Sequence, residues 1–305
     1  MTNAPRAPSA SAVLLALLAV YLIWGSTYLA IRLTIEGGYP PLLMAGIRFV
    51  LAGAAMYAVL RGRGVPAPTR VQWRHLAVLG LLLMGLGNGL VTIAEQWVSS
   101  GLAAVAVASM PLWMALFAAL RGQRPARAEA IGLGIGFVGV VWLNAGSQLT
   151  ASVPGLVALL IAPMAWAFGS VWSRGRDLPP PAMSAAGQML AGGAMMVLAG
   201  LVTGEQFTRV PTPGATVAVV YLMLFGSIVA FSAYLWLLHH VRPALASSYA
   251  YVNPPVAVLL GVLFAGETVT THDIGAMAVI LAGVAAITFG RSRAPARAAA
   301  TRETA

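Results

Sequence analysis

Cysteine is absent from the 305-residue chain, which excludes a disulfide framework and a thiolate metal site. Lysine is absent too, so all 18 basic residues are Arg. Charged residues make up 9% of the chain and apolar residues 59%. His75, His239, His240 and His272 lie near the ends of apolar runs, with no metalloprotease-like spacing. No intramembrane Ser/His pair or acidic pair is visible. A metal enzyme or an intramembrane hydrolase is therefore not expected, and no metal or cofactor is implied. The formal charge of +10 would suit nucleic acid, but the Arg residues fall in short segments between long apolar runs. Their excess is a topology signal, and nucleic acid is not an expected partner.

What the chain has is length of apolar sequence. Runs of about 20 residues are long enough to cross a bilayer. The sequence predicts ten, at 12–33, 41–60, 74–94, 101–120, 129–146, 155–173, 182–203, 214–238, 244–264 and 273–289. Residues 1–11 and the basic tail 290–305 are polar and expected to be mobile. The first run is too long for a signal peptide and has no small-residue cleavage site, so it is read as helix one.

Charge gives the expected orientation. Arg61, Arg63, Arg70, Arg74, Arg121, Arg124, Arg127, Arg174, Arg176 and Arg242 fall in alternate loops, with Arg6 and the tail Arg residues on the same side. The opposite side carries Glu36, Glu95, Glu205, Arg209, Glu267 and Asp273. The positive-inside rule then puts both termini in the cytoplasm.

The chain also repeats itself. One gapless offset places Ala106 on Ala250, Pro111 on Pro255, Leu116 on Leu260, Gly122 on Gly266, Gly139 on Gly283 and Val140 on Val284. A nearly equal offset places Trp24 on Trp166 and Arg32 on Arg174. The repeats are read as 12–146 and 147–289, with five helices each. An odd number of helices makes the second repeat cross the membrane upside down. Inverted repeats are the architecture of secondary carriers, with the substrate near the midplane.

The ninth run carries Tyr249, Asn253, Pro254 and Pro255 in its middle. The prolines lack N–H groups, so the helix is expected to break there. Polar groups at a break at membrane depth mark either a transport site or a kink buried against a neighbour.

Several motifs are similar to those of the EamA family in the drug/metabolite transporter superfamily. Trp24-Gly25-Ser26-Thr27-Tyr28-Leu29-Ala30-Ile31-Arg32 resembles its first-helix signature. Pro40-Pro41 with Ala45-Gly46-Ile47-Arg48-Phe49 resembles the second-helix motif. The stretch Ala94-Glu95-Gln96-Trp97 to Ala104 resembles the link into helix four. Ser247-Ser248-Tyr249-Ala250-Tyr251-Val252-Asn253-Pro254-Pro255 through Gly266-Glu267 resembles the second-repeat counterpart. The likeness runs from about Trp24 to Phe289. It implies ten helices in a 5+5 inverted repeat around a central cavity, lined by helices one, three, four, six, eight and nine. It also implies movement of amino acids or other small metabolites, mostly outward. Gln123 stands where the family usually has an acidic residue, so a role for that position is not carried over.

The candidate substrate-binding residues are Trp24, Thr27, Tyr28, Asn88, Trp166, Ser232, Trp236, Tyr249 and Asn253. Aromatic walls with hydroxyl tips suit small, partly apolar metabolites, although such rings also pack cores. Asn88, Thr92 and Glu95 form one helical stripe, which either lines the pathway or bonds a neighbouring helix. Glu95 is expected to be a solvated rim carboxylate. Arg48 is a buried charge, expected either to bind a substrate carboxylate or to serve structure. Pro111, Pro254 and Pro255 are candidate hinges.

The sequence thus reads as a multi-pass transporter of the bacterial cytoplasmic membrane, not an enzyme. Its expected cargo is a small neutral or zwitterionic metabolite, hydrophobic amino acids first. A drug or sugar/nucleoside carrier of the same fold is the alternative, with a flippase, membrane enzyme or non-transporting scaffold behind. Beyond the lipid bilayer and the small-molecule substrate no partner is implied. Proton coupling and oligomeric state stay open.

Overall fold

The structure is a computed structural model that describes residues 9–97, 107–123, 125–144, 153–265 and 270–289. The expectations for Arg6, for 98–106, for Arg124, for Gly266-Glu267 and for the tail 290–305 lie outside the described residues. Among the described residues every regular element is helical.

The helices, in chain order, are α1 (Ala10–Glu36), α2 (Pro41–Gly62), α3 (Arg70–Ala94), α4 (Met110–Leu120), α5 (Arg127–Asn144), α6 (Val153–Trp172), α7 (Pro181–Val202), α8 (Pro213–His240), α9 (Tyr249–Ala265) and α10 (Thr271–Phe289). Six of them, α1, α2, α3, α6, α7 and α8, are long and apolar enough to cross a membrane. Their starts are signalled locally. Ser9 caps α1 by accepting from the Ala12 amide, and Thr69 and Gln72 close a capping box on α3. Pro41 and Pro181 occupy the first turns of α2 and α7, where no amide partner is lost.

Burial is inverted relative to a water-soluble protein. Leu14, Leu15, Leu18 and Leu22 on α1, and Leu198 and Leu201 on α7, face outward. Arg48, Gln188, Ser170, Ser184, Ser227 and Asn253 are buried. That pattern matches a lipid exterior, where polar groups must find partners inside the protein.

Two close helix pairs form the frame. On α2 and α7, a Cβ at Gly46 would meet the Gly193 carbonyl at 2.8 Å, and one at Gly53 would meet the Ala186 carbonyl at 2.8 Å. Ascending positions on α2 thus meet descending positions on α7, so the pair is antiparallel. The α5–α10 pair is built likewise: a Cβ at Gly139 would meet Ile280 and one at Gly283 would meet Gly136, while one at Gly136 would fall on the Tyr251 ring of α9. Small residues let these backbones approach, as in other membrane helices.

The ninth run differs from expectation. Pro254 and Pro255 lie inside α9, and the break comes earlier, between the short helix Pro243–Ala246 and Tyr249. There the Ala250 and Tyr251 amides donate three residues back, to Ser247 (3.1 Å) and Ser248 (3.0 Å). A proline ring crowds the carbonyl four residues before it. The tightened turn therefore sits upstream of the prolines.

Candidate functional site

The cavity lies among α1, α2, α3, α4, α6, α8 and α9. Its volume is about 90 Å³.

One part of its wall is aromatic. Trp24 on α1 meets Trp166 on α6 edge-on at 5.5 Å, Tyr234 on α8 at 5.2 Å and Tyr249 on α9 at 4.7 Å. Two short hydroxyl bonds tie this cluster together beyond the cavity. Ser248 Oγ donates to the Leu245 carbonyl, so Tyr21 is the donor in the 2.6 Å Tyr21–Ser248 bond. Ser170 Oγ donates to the Trp166 carbonyl, so Tyr234 is the donor in the 2.6 Å Tyr234–Ser170 bond.

α3 and α8 each contain a π-helical segment, Gly80–Gly89 and Leu222–Ala230. A π turn widens the helix and leaves carbonyls out of the usual register, a feature frequent at functional sites. Here the Trp24 indole N–H donates to the Gly226 carbonyl at 3.1 Å, within the α8 segment.

The other part of the wall is polar. Arg48 is 3% exposed and donates through Nη2 to Asn88 Oδ1 at 2.9 Å. Its guanidinium also lies over the Phe49 ring, 4.5 Å from the centroid. A mid-membrane Arg costs about 2.5–3.5 kcal/mol on insertion scales, which one bond to a neutral amide does not offset. Arg48 Nε and Asn253 Oδ1 are buried without a partner, and both side chains line the cavity. Both Glu95 carboxylate oxygens are also buried and unpartnered. Buried polar atoms are nearly always satisfied, so the unpartnered Arg48 and Asn253 atoms in the lining, with Glu95 just beyond it, call for an explanation.

Comparison with known proteins bears on the whole chain. Residues 10–145 and 153–289 both match the model of the EamA-like transporter family. The chain belongs to this family. It is 45% identical over 283 residues to the Uncharacterized inner membrane transporter YedA of Escherichia coli (strain K12), covering 92% of each chain. It is 27% identical over 292 residues to the Uncharacterized transporter YoaV of Bacillus subtilis (strain 168), covering 92% of this chain and 98% of that one. A crystal structure at 27% identity superposes with a TM-score of 0.77, over 92% of this chain and 98% of the other. The EamA chain is thus a multi-pass membrane protein with a two-repeat helical fold.

Of the residues singled out from sequence, Trp24, Thr27, Tyr28, Asn88, Trp166, Tyr249 and Asn253 line the cavity, together with Arg48. Ser232 and Trp236 do not. Ser232 Oγ faces Met56 Sδ at 3.9 Å, and Trp236 stacks on His240 at 4.4 Å. Thr92 is fully buried and bonds the Asn88 carbonyl of its own helix. The expectation of a solvated Glu95 is not met, since its oxygens are enclosed. Pro111 lies in the first turn of α4. Sequence reading missed Pro163, Gly226, Met84 and Met110. Pro163 interrupts an apolar run, and that was its available signal.

Proposed function

We propose that this protein is a secondary transporter that exports small zwitterionic metabolites, hydrophobic amino acids foremost, across the bacterial cytoplasmic membrane. In this reading ten spans form two inverted five-helix repeats, with both termini in the cytoplasm, and the repeats rock to expose the cavity alternately. The observation that carries it is a cavity lined from both repeats by aromatic and polar side chains. The antiparallel packing of α2 on α7 and of α5 on α10, which are equivalent helices of the two repeats, supports the inversion. So do the π segments at matching places in α3 and α8.

The test is flux of labelled leucine in proteoliposomes containing the full chain. Saturable counterflow of leucine is the expected result. Absence of flux for every amino acid, with rapid flux of a nucleoside or a lipophilic cation, overturns the cargo. One observation favours a cation exporter instead: the enclosed Glu95 carboxylate, since such exporters exchange cation for proton at a membrane carboxylate. Against it, the Arg48 charge lines the cavity and Glu95 does not.

A further inference from the structure

Burial raises the Glu95 carboxyl to about 8 and the Arg48 charge opposes that shift, yet the two side chains make no ion pair. Each keeps buried polar atoms without a partner. Glu95 caps the end of α3, one turn beyond Val91 and two beyond Asn88, both of which line the cavity. Tyr28 and Arg48, also in the lining, lie within range of its charge. The cavity wall therefore holds a cation and the unpartnered Asn253 Oδ1, with a carboxyl group just beyond the lining at the end of α3.

The fold does not require these charges. The repeat supplies an internal comparison, because α2 and α7 are equivalent, both 22 residues long and both starting at proline. Counting from those prolines, the position equivalent to Arg48 is Gln188, and by the Trp24–Trp166 offset that of Glu95 is Leu237. The second repeat packs its equivalent helices with no charge at either place. The first half thus holds two incompletely paired ionisable groups where the second has neutral residues, of which Gln188 Oε1 is also buried without a partner.

We infer that Arg48 and Glu95 are the headgroup site for an α-amino acid: Arg48 takes the carboxylate, and Glu95 with Asn253 Oδ1 takes the ammonium. Asn88 positions the guanidinium, and the Trp24, Trp166 and Tyr249 rings take the side chain. An α-amino acid carries its two charges on one carbon, so it completes both groups at once. A molecule with one charge leaves the other group unpaired, and such omissions discriminate strongly. This inference rests on the transport reading above and names the groups that make it selective.

The test compares L-leucine with leucinamide, which lacks the carboxylate, and with 4-methylpentanoate, which lacks the ammonium. In proteoliposomes the wild-type chain should transport leucine, and neither analogue should compete at equal concentration. Glu95→Gln should raise the leucine KM by about 10-fold or more, the worth of one charged hydrogen bond. In the same variant 4-methylpentanoate should become a competitor. Arg48→Lys keeps the charge but loses the planar fork, and should weaken leucine while leaving leucinamide unchanged. Glu95→Gln should unfold no earlier than wild type without substrate, because it neutralises an unpaired buried charge. If Glu95→Gln transports leucine with unchanged KM and still rejects 4-methylpentanoate, the headgroup assignment is overturned while the transporter reading stands. If wild-type chain moves no amino acid, both fall.

Discussion

Two tyrosine hydroxyls hold the aromatic wall to the helices beyond it, and removing them should shift the balance between the two access states. Tyr21 donates to Ser248 at 2.6 Å, joining α1 to the turn before α9. Tyr234 donates to Ser170 at 2.6 Å, joining α8 to α6. In each case the serine keeps its own bond to a carbonyl, so Phe at the tyrosine leaves no orphaned donor. One neutral hydrogen bond is worth about 0.5–1.5 kcal/mol net. If it exists only while this side of the cavity is shut, its loss changes the ratio of states by about 2- to 12-fold. The chain has no cysteine, so single introduced thiols report on a silent background. Ser173, 5% exposed, follows the end of α6, three residues beyond Ser170 of this hydroxyl latch, and is replaced conservatively by Cys; Val91 lines the cavity. With Tyr21→Phe, maleimide labelling of Ser173→Cys should quicken by about 2- to 12-fold, the population change above. Labelling of Val91→Cys should slow in the same variant, because opening one side closes the other. Tyr21→Phe with Tyr234→Phe should roughly multiply the single effects, since the two bonds share no partner. Faster labelling at both reporters would mean general loosening and would refute the latch; no change at Ser173→Cys would do the same.

Further predictions come from the packing and the site. A Cβ at Gly136 would lie 2.7 Å from the Tyr251 ring, whereas one at Gly134 meets nothing within 4 Å. Gly136→Ala should therefore lower thermal stability by about 1–3 kcal/mol through overpacking, and Gly134→Ala should raise it by up to about 1 kcal/mol through helix propensity. Glu205 accepts from the Leu42 and Leu43 amides at 3.0 and 2.8 Å, so its carboxylate caps α2 from the loop after α7. Glu205→Ala should cost about 1–3 kcal/mol in thermal unfolding, with little change in substrate KM. Asn253→Ala should raise the leucine KM in proteoliposomes, and an unchanged KM would take Asn253 out of the site.

The helices were legible because lipid imposes a simple rule. A run such as 41–60 or 182–203 must be apolar and about 20 residues long, and α2 and α7 keep close to it. Much of the cavity wall was legible for the same reason, since polar and aromatic residues such as Asn88, Trp24 and Asn253 stand out against an apolar background. Helix eight was harder. Ser232 and Trp236 were chosen as candidates for their hydroxyl and aromatic chemistry, and both follow a segment that turns out to be π-helical. Phe231 and Gly226 line the cavity, while Ser232 Oγ faces Met56. Nothing in that apolar sequence announces a π segment. Glu95 was misjudged because depth was counted along its own helix. Its enclosure depends on neighbouring helices, which sequence does not place.

The prolines of α9 give a final test, because the break lies upstream of them. Pro255 removes the amide that would bond the Tyr251 carbonyl, and its ring crowds that carbonyl. Tyr251 is fully buried and its hydroxyl donates to the Leu133 carbonyl on α5 at 3.1 Å, so this turn is anchored to the α5–α10 pair. The strain therefore passes to the free side, at Ser247 and Ser248, where the latch from Tyr21 also attaches. On this account Pro255→Ala restores the missing bond, lets α9 stiffen towards Ser248 and resists the bend that alternate access needs. Thermal stability should rise by a fraction of the roughly 3 kcal/mol that an interior proline costs, and leucine turnover should fall. The two effects must come together. Unchanged turnover in a stabilised Pro255→Ala chain would mean that the break is a packing feature only, and that the rocking motion bends elsewhere.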